Sequence, residues 1–136
     1  MINKRITSIE IENTSWALCT SDEIVSEILK IYRNGDLKHF QYNGMVNKPV
    51  NAYIYKVDNA KIEEFFNTIV TKIKIQDWKD DYSVKVCDGK AWECRIRHFD
   101  NTIKKVIGTV EPPPRGKQLI NLINKLADFK VEPWIF

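Results

Sequence analysis

Two β-forming runs meet at Asn34-Gly35, and that dipeptide limits the fold more than any other feature of the chain. Asn-Gly supplies the positive φ that a two-residue hairpin turn needs at both central positions, so 24–33 (IVSEILKIYR) and 36–43 (DLKHFQYN) read as adjacent antiparallel strands. A type I′ turn would set Arg33 opposite Asp36, Ile31 opposite Lys38 and Leu29 opposite Phe40, with Tyr32 facing Leu37. A hairpin must bury one of its faces, and 136 residues provide one core to bury it in.

Around this hairpin the hydrophobic period changes along the chain. Residues 6–12 (ITSIEIE) alternate as a first strand, and Asn13-Thr14-Ser15 end it. Trp16-Ala17-Leu18-Cys19 reads as a second short strand or a packed loop, and Ser21-Asp22-Glu23 as a turn or a helix cap. After a Gly44–Pro49 loop, 50–57 (VNAYIYKV) carries Tyr53, Tyr55 and Val57 on one face and Ala52 and Ile54 on the other. A strand that is apolar on both faces predicts a central position. Ile62, Phe65, Phe66, Ile69 and Ile73 then form one helical stripe, with Asp58 or Asn59 as cap. Glu63 and Glu64 would complement the positive end of that helix, and Lys72 and Lys74 its negative end.

The second half repeats the order of hairpin, loop and helix. A three-residue Asp88-Gly89-Lys90 loop pairs Val86 with Trp92, Val84 with Cys94 and Tyr82 with Ile96, which buries one continuous face. Asp100-Asn101-Thr102 turns the chain again; Ile103 and Ile107 are expected on the apolar face, and Lys104 beside Arg97 on the outer one. Glu111-Pro112-Pro113-Pro114 is a stiff linker, and 116–127 (GKQLINLINKLA) forms a helix striped by Leu119, Leu122, Ile123 and Leu126. The apolar tail Pro133-Trp134-Ile135-Phe136 packs back as a cap or docks on a partner. An offset of 66 residues sets Arg33-Asn34-Gly35-Asp36 against Phe99-Asp100-Asn101-Thr102, an internal echo of 24–74 in 82–127. The expected fold is a single α+β domain over 1–136, an antiparallel sheet of about six strands with two amphipathic helices on one face.

Charge and chemistry narrow the function classes. Lys and Arg number 21 against 18 Asp and Glu, a net charge of +3, which excludes a strongly basic nucleic-acid tail. No stretch approaches the ~20 apolar residues of a spanning helix, and MINKRITSIE lacks the apolar core of a signal peptide, so a cytoplasmic protein without membrane contact is expected. Cys19, Cys87 and Cys94 form no CxxC pair, and His39 and His98 lack metal-ligand spacing; no disulfide scaffold, metal or cofactor is expected. Cys19 reads as a small buried residue.

Residues 68–136 carry 13 Lys/Arg against 9 Asp/Glu, and the outer face of the 95–106 hairpin collects Arg95, Arg97 and Lys104, with Lys90 and Arg115 nearby. A solvated sheet face explains such a pattern, and an acidic protein partner or an RNA-facing patch would use it. No RNP-like aromatic set or GXXG loop accompanies it. His39, His98 and Lys104 could serve phosphodiester cleavage as an acid, a base and a cation, or be ordinary half-buried side chains. Arg115-Gly116-Lys117 at a helix start could hold an anion, and Asp80-Asp81 and Glu63-Glu64 form no convergent carboxylate dyad. Trp92 belongs to the core, whereas Trp78, Trp134 and Phe136 are interface candidates, because aromatic anchors carry binding energy well. This balance favours binding over catalysis.

Trp92-Glu93-Cys94-Arg95-Ile96, Asp100, Lys104-Lys105, Gly108-Thr109-Val110, Pro112-Pro113, Leu119, Leu122 and Ile123 together resemble a pattern in small bacterial α/β immunity proteins of contact-dependent or polymorphic toxin systems. The resemblance covers the second half of the chain and rests mostly on fold-determining positions. It implies a cytoplasmic protein that neutralises a cognate toxin domain by tight steric binding, and it carries over no catalytic residue. Inhibitors of nucleases are often acidic, and this chain departs from that at +3.

Overall fold

Alternation along the first strand decides the architecture. β1 (Ile6–Ser15) buries Ile6, Ile9, Ile11 and Asn13 and turns the residues between them outward, so it is apolar on one side only. The computed structural model describes residues 5–15, 23–44, 47–85 and 90–136. Further strands are β2 (Ser26–Tyr32), β3 (Asp36–Tyr42), β4 (Asn51–Lys56), β5 (Asp81–Tyr82), β6 (Lys90–His98) and β7 (Ile103–Thr109); the helices are α1 (Asn59–Thr71) and α2 (Gly116–Asn124). Among the described residues seven strands form one sheet in the order β4-β3-β2-β1-β6-β7-β5, antiparallel except for the parallel β5–β7 edge. Both helices pack on one face, which makes this an α+β fold. Among the described residues no helix is long and apolar enough to cross a membrane.

Three rows of paired residues cross the helix-covered face. Tyr55, Leu37, Ile31, Ile9 and Ile96 make one, and His39, Leu29, Ile11, Cys94 and Val106 the next. The third is polar on one side: Asn51, Gln41, Glu27 and Asn13, then Trp92 and Gly108. Ile62, Phe65, Phe66 and Ile69 of α1 and Leu119 and Ile123 of α2 belong to the same core as the two apolar rows.

The β2–β3 hairpin turns through three residues rather than two. The Gly35 N–H donates to the Tyr32 carbonyl at 3.0 Å with Gly35 at φ 100, and Ile31 pairs with Leu37 and Leu29 with His39. The expected pairing of Ile31 with Lys38 would have mixed core and solvent residues on one face; the extra loop residue restores a single apolar face. The β6–β7 loop, Phe99-Asp100-Asn101, has the same form: the Asn101 N–H donates to the His98 carbonyl at 3.0 Å, and Asn101 takes φ 67. In each, an Asx side chain caps the residue after the loop, Asn34 to Asp36 and Asp100 to Thr102. The loops match at the 66-residue offset, yet Leu37 is buried while Ile103 is exposed, so the two hairpins turn opposite faces to the core.

Other expectations are corrected. β4 is an edge strand with Ile54 exposed, not a central one. Residues 82–85 do not pair with β6, because β1 and β7 occupy both its edges, and Tyr82 instead joins β7 at Gly108. In β7 Lys104 and Val106 face the helices, whereas Ile103, Lys105 and Ile107 face outward beside Arg97 and Arg95. Ile62, Phe65, Phe66 and Ile69 form the α1 stripe as read, with Ile73 buried just beyond the helix, and Asp58 is the cap residue; Glu63 and Glu64 lie beyond the first turn, and Lys72 and Lys74 follow the last. α2 ends at Asn124, with Leu126 buried just beyond it. Trp16–Cys19, the Ser21-Asp22 turn, Val86, Cys87 and the Asp88-Gly89 turn fall outside the described residues.

The proline linker works as an acceptor rail. Trp92 Nε1 donates to the Glu111 carbonyl at 2.9 Å and Trp78 Nε1 to the Pro114 carbonyl at 3.0 Å, which satisfies both indoles inside the core. Trp92 lies flat over Gly108, where any Cβ would collide with the indole ring. Gly108→Ala is therefore expected to lower stability by about 2–3 kcal/mol through overpacking, read as a shift in the urea unfolding midpoint.

Candidate functional site

Three polar assemblies stand out. The first is an open groove of about 800 Å³ between α1 and the end of the sheet where β1 starts and β6 finishes. Arg5, Arg33, His98 and Lys104 line it above an apolar floor of Ile6, Phe66 and Val70. Arg33 is held firmly: Nε donates to the Ile6 carbonyl at 2.6 Å, and the guanidinium sits 4.6 Å from the Phe66 ring centroid. Its Nη1 donates to Glu63 Oε2 at 2.9 Å, and Arg5 Nη2 approaches the same oxygen at 3.7 Å. Lys104 Nζ donates to the Gln76 carbonyl at 3.1 Å. His98 is buried, with Nε2 at 3.0 Å from Gln76 Oε1 and Nδ1 at 3.2 Å from the Thr102 carbonyl.

The second is the outer face of the sheet. Arg95 does not offer a free charge there: Nε donates to Glu10 at 2.6 Å, Nη1 donates to Glu93, and Glu12 lies at 3.6 Å. Burial works against its charge, but the hydrogen bonds to Glu10 and Glu93 outweigh that and hold the guanidinium above its ordinary value. Lys30 joins Glu10 at 3.5 Å and Lys105 joins Glu93 at 3.9 Å. Of the expected basic set Arg95, Arg97 and Lys104, the first is neutralised by carboxylates, the second is exposed on this face, and the third has crossed to the groove.

The third is the buried polar row. Glu27 Oε1 accepts from Gln41 Nε2 and pairs with His39 Nε2, each at 2.8 Å, while Oε2 accepts the Trp134 backbone N–H at 2.8 Å. Asn51 Nδ2 extends the chain to Gln41 at 2.9 Å, and Lys90 Nζ caps the Trp134 ring at 3.7 Å from its centroid. Desolvation lowers the Lys90 ammonium against the attraction of Glu27. The tail thus folds back onto the core, with Ile135 buried and Phe136 edge-on to Trp78 and Trp92. Trp78 is 3% exposed and is corrected from interface anchor to core residue; Trp134 and Phe136 are half-buried.

The two histidines do not converge. His39 lies on β3 and His98 at the end of β6, with β2 and β1 between them, about 14 Å at ~4.8 Å per strand, and each ring is engaged locally. His98 and Lys104 do share the groove. Arg5 and Arg33 were missed, because only strand register brings positions 5, 33, 98 and 104 together. Glu27 was legible as a carboxylate with the parity of Leu29 and Ile31. Arg115 is exposed at the start of α2. Among the described residues no cluster of His, Cys, Asp and Glu could hold a metal. The sequence matches no protein-family model and no curated protein.

Glu27→Ala would strand the His39, Gln41 and Trp134 groups without an acceptor, and it is expected to cost about 3 kcal/mol in chemical denaturation. Burial pushes the Cys94 thiol up to about 12. The folded state then keeps a proton that the unfolded thiol releases from about pH 9, so the Cys94 contribution to stability is present below pH 9 and lost as pH rises toward 12. Cys94 is expected to resist iodoacetamide at pH 8 until denaturant is added, as peptide mass mapping would show.

Proposed function

We propose that this chain is a bacterial immunity protein that binds a cognate toxin domain and neutralises it sterically through the outer face of the sheet. The row Ala52, Phe40 and Ile28 carries the reading, because no described element covers it. Tyr32, Tyr42 and Ile54 surround it, and Lys38 lies 5.6 Å from the Tyr32 ring centroid and Lys30 5.8 Å from that of Phe40. Six strand spacings of ~4.8 Å by seven residues of ~3.4 Å give a face of about 690 Å², close to one partner's ~800 Å² share of a standard interface.

Charge favours a protein over a nucleic acid on this surface. Glu10, Glu12 and Glu93 occupy its centre and engage Arg95, Lys30 and Lys105, so those basic side chains are not free to neutralise a phosphate backbone. Aromatic side chains amid paired charges are the composition of an interface core with a polar rim.

The test is co-expression with the polypeptide encoded beside its gene, followed by calorimetry of the purified pair. A tight 1:1 complex is expected, with growth protected. Phe40→Glu, checked for folding by circular dichroism, should weaken it at least about 30-fold, as for an interface hot spot, whereas Lys117→Glu on α2 should leave it unchanged. No complex, a neighbour harmless to cells, or full affinity after Phe40→Glu would refute the reading.

A further inference from the structure

The groove at the β1–β6 end is turned away from the proposed docking face and has its own chemistry. Among the described residues, the Arg5, Arg33 and Lys104 cations against the Glu63 carboxylate leave a formal surplus of +2 in one concavity. The charges come from separate segments of chain, and two are fixed before any ligand arrives: Arg33 by the Ile6 carbonyl and the Phe66 ring, Lys104 by the Gln76 carbonyl. Such preorganisation lowers the ordering cost of binding an anion. Glu63 shows what the site grips, since a single carboxylate oxygen lies between the two guanidiniums. Beside this grip Val70, 42% exposed, is the accessible apolar side chain, backed by the buried Ile6 and Phe66.

We propose that this groove binds a small phosphate monoester carrying a flat apolar body, a ligand of the mononucleotide class. A phosphate monoester carries about −1.5 to −2 charges at pH 7 and three acceptor oxygens, which matches the net +2 and the guanidinium donors. The exposed Val70 side of the groove takes the base, and ~800 Å³ lies within the usual range for small-ligand sites. Glu63 competes with the phosphate for Arg33 and Arg5, so it sets the affinity from inside the site. His98 is a fixed part of the wall, its ring nitrogens facing Thr102 and Gln76.

Calorimetry of the full chain at low salt, with AMP, adenosine and inorganic phosphate as probes, tests this independently of any toxin partner. AMP is expected to saturate the protein at submillimolar concentration, more tightly than phosphate, with adenosine failing to saturate. Lys104→Gln should weaken AMP by about tenfold or more through loss of a charge-assisted contact. Glu63→Gln should tighten it several-fold. Lys105→Gln, a neighbouring lysine on the opposite face, should change nothing. Absence of AMP binding, AMP no tighter than phosphate, or an affinity untouched by Glu63→Gln would overturn the proposal. Should Lys104→Gln unfold, the Glu63→Gln arm still decides, since Glu63 is exposed and its loss removes a competitor.

Discussion

Ile9 and Ile11 are each flanked on both sides within the sheet, by Ile31 and Leu29 of β2 and by Ile96 and Cys94 of β6. That double pairing of β1 joins the two halves of the chain into one sheet. Neither half could close a core alone: the β2–β3–β4 side supplies α1, while the β6–β7 side supplies α2, the proline rail and the tail. Burial on one face of a common sheet places both helices together, and the opposite face is left to water or to a partner.

The same sheet also buries polar side chains, Glu27 among them. Glu27 sits where its strand alternation calls for a hydrophobe, and it spends both oxygens on other segments: His39 and Gln41 of β3, and the backbone at Trp134. A hydrophobe there would pack without specifying which segment lies above it. The carboxylate instead fixes the register of β2 against β3 and the seat of the tail, the use of a buried polar group best attested elsewhere. Lys90 over Trp134 closes the arrangement from the other side.

Much of this fold was legible in local pattern. The α1 stripe, the strand runs and the parity of His39 and His98 follow from periodicity, which depends only on near neighbours. Registers were harder to read. The Arg33-Asn34-Gly35 loop and the Lys104 face each turn on one loop residue, and a single residue inverts every side chain beyond it. The pairing of β6 with β1 instead of with 82–86 was invisible locally, since a nearby strand and a distant one look alike in sequence. The groove was hidden for that reason: Arg5, Arg33, His98 and Lys104 share no spacing, and only the completed sheet brings them together. The apparent basic face of Arg95 vanished likewise once Glu10 and Glu12 arrived from β1.

The distance in sequence between β1 and β6 has a consequence for biosynthesis. Roughly 75 residues separate Ser15 from Lys90, so a ribosome adding ~5–20 residues per second needs about 4–15 s to deliver the second partner of β1. Throughout that interval one side of β1 offers bare amides and carbonyls beside Ile9 and Ile11, a template for pairing with any other extended chain. Until β6 arrives the nascent protein thus carries an open strand edge at its centre, which the finished fold closes on both sides.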